Sequence, residues 1–155
     1  MAENLIITEG DKEQQYRTLF PQIGALLAGE TDMTANMANV AAALKQTFDF
    51  FWVGFYVVKK DMLVLAPFQG PIACTRIRHG KGVCGTAWKE AKTLIVPDVE
   101  LFPGHIACNA ASRSEIVVPV IRERKVIAVL DIDSDKPDSF DEVDANYLER
   151  ICGLL

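Results

Sequence analysis

Ser112-Arg113-Ser114-Glu115-Ile116-Val117-Val118-Pro119-Val120-Ile121 and Val126-Ile127-Ala128-Val129-Leu130-Asp131-Ile132-Asp133-Ser134 are two β-rich runs joined by the polar link Arg122-Glu123-Arg124-Lys125. Branched aliphatic residues on both sides of a short polar break predict an antiparallel hairpin. Each arm is apolar through its middle and carries carboxylates at one end. Asp131 and Asp133, two residues apart, point to one face of their strand. Whether Glu115 joins them depends on register. A two- or four-residue link puts Glu115 on the opposite face, whereas an odd-length link or a bulge, which Pro119 would accommodate, gathers the three acids. The competing reading is of ordinary solvated strand ends.

Before the hairpin, Asp11 to Glu30 sets Tyr16, Leu19, Phe20, Ile23, Leu26 and Leu27 on one side of a helix, with Asp11 as its N-cap. Pro21 and Gly24 predict a kink or a break in it. Thr31-Asp32 cap a second helix to about Phe48, whose Met33, Met37, Val40, Ala41 and Leu44 form a core stripe. Phe50 to Val58 is aromatic and β-branched enough for a strand buried on both faces. Alternation sets Phe51, Phe55 and Val57 on one side and Trp52, Gly54 and Tyr56 on the other. A glycine between two aromatic rings either leaves a gap for a small ligand or lets the rings fill core.

Met62 to Ala66 is the returning strand, Pro67 to Pro71 a loop, and Ile72 to Ile77 a further strand. Gly80, Gly82 and Gly85 formally satisfy G-x-G-x-x-G and lead into a short helix, Thr86 to Ala91. The run lies among short strands and does not open a βαβ unit, so it is not a dinucleotide site. Thr93 to Val96 is a short strand, and Pro97 to Ser114 a long irregular segment of the kind that carries function. Ser139-Phe140-Asp141-Glu142 reads as a capping box, opening a terminal helix that buries Val143, Tyr147, Ile151 and Leu154.

The chain's 155 residues suit a single domain. Half are hydrophobic and 24% charged, the balance of a globular protein and not a disordered one. A formal charge of -5 with no basic stripe argues against nucleic acid. No apolar run approaches the ~20 residues of a membrane helix, and the N-terminus lacks the pattern of a signal peptide. A cytoplasmic location follows as an expectation, and there four cysteines would not form permanent disulfides.

Cys74, Cys84 and Cys108 fall within one 35-residue window, on a strand, a glycine turn and a loop. Cys152, in the terminal helix, reads as core. A zinc site completed by His105 or His79 has only the common His105-Ile106-Ala107-Cys108 spacing behind it and no C-x-x-C knuckle. Three inert buried thiols are another reading. Thiol redox chemistry accounts for the placement best, because a reactive thiol needs exposure and a resolving thiol must be within reach of loop motion.

Together, Trp52-Val-Gly-Phe-Tyr56, Pro67-Phe-Gln-Gly70 with Pro71-Ile-Ala-Cys74, Gly80-Lys-Gly-Val-Cys84-Gly85, Phe102-Pro-Gly-His-Ile-Ala-Cys108 and Leu130-Asp-Ile-Asp-Ser134 resemble the free methionine-(R)-sulfoxide reductases, a GAF-domain family. The resemblance runs from about Asp11 to the end, and the three cysteines with these acids are specific to that branch. It implies an α+β fold: a central antiparallel sheet of about six strands, N- and C-terminal helices on one face and the ligand pocket on the other. It also implies Cys108 as nucleophile, Cys74 as resolving thiol and Cys84 as auxiliary, with no metal and no bound cofactor. Trp52 would bound the substrate methyl group, and Tyr56, Glu115, Asp131 and Asp133 would bind its polar groups. Thioredoxin, charged by NADPH through thioredoxin reductase, would restore the dithiol, and a homodimer is plausible by similarity. A non-catalytic GAF sensor is the alternative; it would be joined to an output domain, for which 155 residues leave no room.

The residue types suit such chemistry. Reducing a sulfoxide needs a thiolate at sulfur and a proton at oxygen. Clustered carboxyl groups in an apolar setting hold protons tightly, so one can donate while another charge pairs with the ammonium of a free amino acid. A sulfenic acid at Cys108 would condense with Cys74, which requires the two Cα atoms within roughly 6 Å. The Pro97 to Ser114 loop can make that approach, closing over substrate and then rearranging for resolution.

Overall fold

The computed structural model describes residues 4–155. In chain order the elements are α1 (Lys12–Leu27), α2 (Met33–Phe48), β1 (Trp52–Lys59), β2 (Met62–Gln69), β3 (Arg76–Arg78), α3 (Gly82–Glu90), β4 (Leu94–Val96), a 3-10 turn (Val99–Leu101), β5 (Ser114–Arg122), β6 (Lys125–Ser134) and α4 (Glu142–Cys152). The strands form one antiparallel sheet in the order β3-β2-β1-β6-β5-β4. This is the expected α+β GAF-like architecture.

The β5–β6 hairpin is linked by two residues, Glu123 and Arg124, both at positive φ (49° and 64°), the backbone of a primed turn. A two-residue link alone would turn Glu115 away from Asp131 and Asp133. The ladder shifts by one residue just past the turn: Ile121 pairs with Val126 but Val120 pairs with Ala128, so Ile127 is the extra residue of a bulge. Ile127 and Ala128 both pack toward the helices, as a bulge demands. Pro119 is tolerated because β4 reaches only to Val117, leaving that side of β5 without a ladder to break.

One face of the sheet packs on α1, α2 and α4 through Val53, Phe55, Ile116, Val118, Leu130 and Ile132. The other face, with Trp52, Tyr56, Val117 and Val129, packs on α3 and encloses the pocket. The N-caps Asp11 and Asp32 form as expected. Helix α1 runs through Pro21 as one continuous element, not a broken one. The terminal capping box is built two residues later than expected, from Asp141 and Asp144, and the Ser139 hydroxyl instead donates to Ser134 Oγ and Lys136 O. Leu154 is exposed, and Leu148 and Leu155 fill the core in its place. Strand β2 extends through Pro67 to Gln69 by way of a ladder irregularity, while β3 shrinks to three residues and leaves Ile72 to Thr75 as loop. Among the described residues, no helix is long and apolar enough to cross a membrane.

A buried polar strap ties the first helix to the last. Asp144 is held by Lys12 Nζ, by the Tyr16 hydroxyl at 2.6 Å and by Asp141 N at 2.9 Å. Asp144→Asn is expected to lower the unfolding free energy in urea by about 2–3 kcal/mol, since it removes the charge that three donors were placed to meet. A loss under about 0.5 kcal/mol would show that the strap contributes nothing.

Candidate active site

The bulge decides the site. With it in place, Glu115 pairs directly with Asp133, and Val117 with Asp131, so all three acids lie on the face away from the N- and C-terminal helices. On the other side of β6, Trp52 pairs with Asp133 and Gly54 with Asp131. Glu115 and Asp131 are buried, at 5% and 6% exposed, and Asp133 is half-buried, so the solvated-strand-end reading fails. Cys84 Sγ, at the start of α3, lies 4.0 Å from Glu115 Oε2, and one atom each from Cys84, Glu115 and Asp131 fall within 4.8 Å of one another. Asp131 Oδ1 is buried with no hydrogen-bond partner among the described residues.

Burial sets the protonation of the cluster. It raises the Glu115 carboxyl well above the carboxylate range, and the charges of Asp131 and Asp133 raise it further. Burial also raises Asp133 well above that range, with Asp131 adding to it. Asp131 is raised by burial too, but Glu115, Cys84 and His105 all favour its charged form. Asp131 is therefore the first of the three to ionise. The Cys84 thiol is pushed well up by burial and by the acids, which makes it a neutral thiol and not a nucleophile.

The gap expected at Gly54 is occupied from within. An added Cβ would overlap Phe68 of β2 and meet the Trp52 ring, so the glycine is there for close strand and ring approach. The Trp52 indole stacks on Phe68 (5.2 Å) and lies 6.0 Å from the Tyr56 ring. Its Nε1 donates to Pro71 O at 3.0 Å. The Tyr56 hydroxyl donates to Cys74 O at 2.9 Å. Phe51 precedes β1 and lines the pocket beside Trp52, contrary to the alternation that placed it with Phe55.

Cys74, in the loop after β2, and Cys108, in the loop before β5, are joined by a disulfide with Cα atoms 5.3 Å apart. Two of the three clustered cysteines are thus paired, and Cys84 and Cys152 are free and buried. Cys84 and Cys108 line one pocket with Trp52, Tyr56, Glu115, Asp131 and Asp133, so seven of the eight residues singled out from the sequence meet there, and the eighth, Cys74, is tied to it through its disulfide with Cys108. His105 was considered only as a zinc ligand. It lines the same pocket, with Nε2 3.8 Å from Glu115 Oε1 and a pKa lowered by burial, which the charge of Asp131 partly offsets. Its position three residues before Cys108 was the available signal.

Residues 28–155 match the GAF domain family. The chain is 64% identical to GAF domain-containing protein A of Dictyostelium discoideum, covering 100% of this chain and 99% of that one. It is 45% identical to the free methionine-R-sulfoxide reductase of Escherichia coli, covering 94% of this chain and 88% of the relative. The chain belongs to the GAF-domain family, in its free methionine-R-sulfoxide reductase branch. A solved structure of the free methionine-R-sulfoxide reductase from Neisseria meningitidis, in complex with its substrate, superposes with a TM-score of 0.96 at 52% identity, covering 97% of this chain and 92% of that one.

The raised carboxyls of this reductase-family site carry a cost that grows with pH. A carboxyl whose folded pKa exceeds its unfolded one binds more protons when folded, so its contribution to stability falls as pH rises above the ordinary carboxylate range. His105, lowered on folding, acts in the opposite direction. The difference between wild type and Glu115→Gln isolates Glu115. The variant is expected to gain stability relative to wild type as pH rises from about 4.5 to 8 in urea titrations, by at least ~1 kcal/mol. A pH-independent difference would show that Glu115 is not held protonated.

Proposed function

We propose that the protein reduces free L-methionine (R)-sulfoxide to methionine in the cytoplasm, with Cys108 as nucleophile and Cys74 as resolving thiol. The observation that supports this reading most is the pocket itself, in which one half of a disulfide, an indole wall and three carboxyls, two of them buried, meet. In the reduced protein, the Cys108 thiolate attacks the substrate sulfur while the sulfoxide oxygen takes a proton. Collapse leaves the thioether of methionine and a sulfenic acid on Cys108, so the substrate sulfur gains two electrons and Cys108 loses two. Cys74 then displaces the sulfenic oxygen as water and forms the disulfide. Thioredoxin, regenerated with NADPH, returns both thiols.

Glu115 is the proton donor in this reading, because burial and the neighbouring aspartates hold it protonated and His105 stands beside it to reload it. Asp131 pairs with the substrate ammonium through Oδ1, the oxygen that lacks a partner. Asp133 adds a second acceptor, and Trp52 bounds the S-methyl group. Cys84 stays neutral in the acid cluster and acts as an auxiliary thiol.

Reduced Cys108→Ser is expected to release no methionine, and Cys74→Ser one equivalent per chain followed by a block. The wild type should consume NADPH with thioredoxin, thioredoxin reductase and the R epimer, and not with the S epimer. Full single turnover by Cys108→Ser, or activity confined to peptide-bound sulfoxide, would contradict the assignment.

A further inference from the structure

The two halves of the disulfide are held very differently. Among the described residues, the backbone and side-chain hydrogen bonds of segment 103–111 run to itself and its flanks: His105 N to Phe102 O, Cys108 N to Ile106 O, Ala111 N to Asn109 Oδ1, Arg113 Nη1 to Ala110 O. Its other ties are the disulfide to the Cys74 loop and His105 beside Glu115 of β5. The Cys74 segment also lacks regular structure and its Ile72 is 90% exposed, while Ala73 and Cys74 pack against the pocket-side core. This segment is anchored to the sheet at three successive points: Pro71 O on Trp52 Nε1, Cys74 O on the Tyr56 hydroxyl, and Thr75 O on Leu65 N. Trp52 and Tyr56 are themselves almost wholly buried on β1, with their rings near one another.

We infer that Tyr56, with Trp52 as second donor, clamps the Cys74 segment to the sheet, making both positioning residues for the resolving thiol, with the Cys108 loop as the moving partner. The inference rests on the proposed assignment of Cys108 as nucleophile and Cys74 as resolver. A buried donor suits a clamp, since burial and the nearby Asp131 keep the phenol protonated. The step it serves needs no external oxidant: Cys74 sulfur attacks the sulfenic sulfur of Cys108, the S–S bond forms, the S–O bond breaks, and the oxygen leaves with the thiol proton as water. Holding one reactant still keeps that step effectively intramolecular, so that only one loop has to search.

The test is a single turnover of reduced full-length protein with one equivalent of free methionine (R)-sulfoxide. Methionine release and Cys74–Cys108 disulfide formation are timed separately, and sulfenic acid is captured by a dimedone-type probe and read by mass. In Tyr56→Phe, which removes only the hydroxyl, disulfide formation is expected to slow about tenfold more than methionine release, with more sulfenic acid captured. Trp52→Phe, which removes the indole donor, should shift the same ratio in the same direction. Reduction of the wild type should raise amide hydrogen exchange across 103–111 and not across 71–75, whereas reduced Tyr56→Phe should raise it across 71–75. The clamp is overturned if both variants slow the two steps equally, or if Tyr56→Phe raises KM while resolving at the wild-type rate, as a substrate-binding hydroxyl would. Cys74→Ser separates the two claims. If it releases no methionine the underlying assignment fails, and if it releases one equivalent while the variants resolve normally only the clamp fails.

Discussion

One inserted residue governs this structure. The bulge at Ile127 moves the β5–β6 ladder by a single position, and because side chains alternate along a strand, that step carries Glu115 from the helix-packed face to the pocket face. In the unshifted register Glu115 would pair with Ile132, against the aromatic and aliphatic core under α1, α2 and α4. A carboxyl group there would have no use and a heavy desolvation cost. Shifted, it stands opposite Asp133 and beside Asp131, and the cost becomes chemistry. Three acids share too little water to be charged together, so they hold protons that a sulfoxide oxygen can take.

The same geometry joins the acids to the thiols. Strand β1 lies between β6 and β2, so Trp52 and Gly54 flank the acids on one side while Trp52 and Tyr56 reach the Cys74 loop on the other. The short helix α3 closes the pocket with Cys84, whose thiol is driven neutral by burial and then by the carboxyls it faces. In the proposed mechanism the nucleophile is Cys108, half-buried in the loop before β5 and already within bonding reach of a second thiol. On that reading acid and thiol functions are divided between the sheet and the loops beside it.

Much of this was legible in the residues. The two hairpin arms, the helix stripes and the buried β1 each follow from one periodicity, and the capping aspartates Asp11 and Asp32 from one local hydrogen bond. The bulge was legible only as an option. Ile127 is a β-branched residue like its neighbours, and nothing in its chemistry marks it as the one left out of the ladder; Pro119 suggested irregularity but sits before it. The link Glu123-Arg124 adopts positive φ without the glycine or asparagine that would announce a primed turn. Gly54 signalled close approach, yet only coordinates tell whether a ligand or Phe68 does the approaching. The extended Ile72 to Cys74 run reads as strand by composition, but it has no neighbouring strand to pair with and is held by side chains from β1 instead.

The central claim is that buried carboxyls at the end of β6 exist to receive a free amino group. The most direct measurement compares kcat/KM for free methionine (R)-sulfoxide and its N-acetyl derivative, which keeps the sulfur chemistry and removes only the ammonium. The account predicts a fall of at least about a hundredfold, because acetylation leaves Asp131 buried without its cation. Equal values for the two compounds would contradict it.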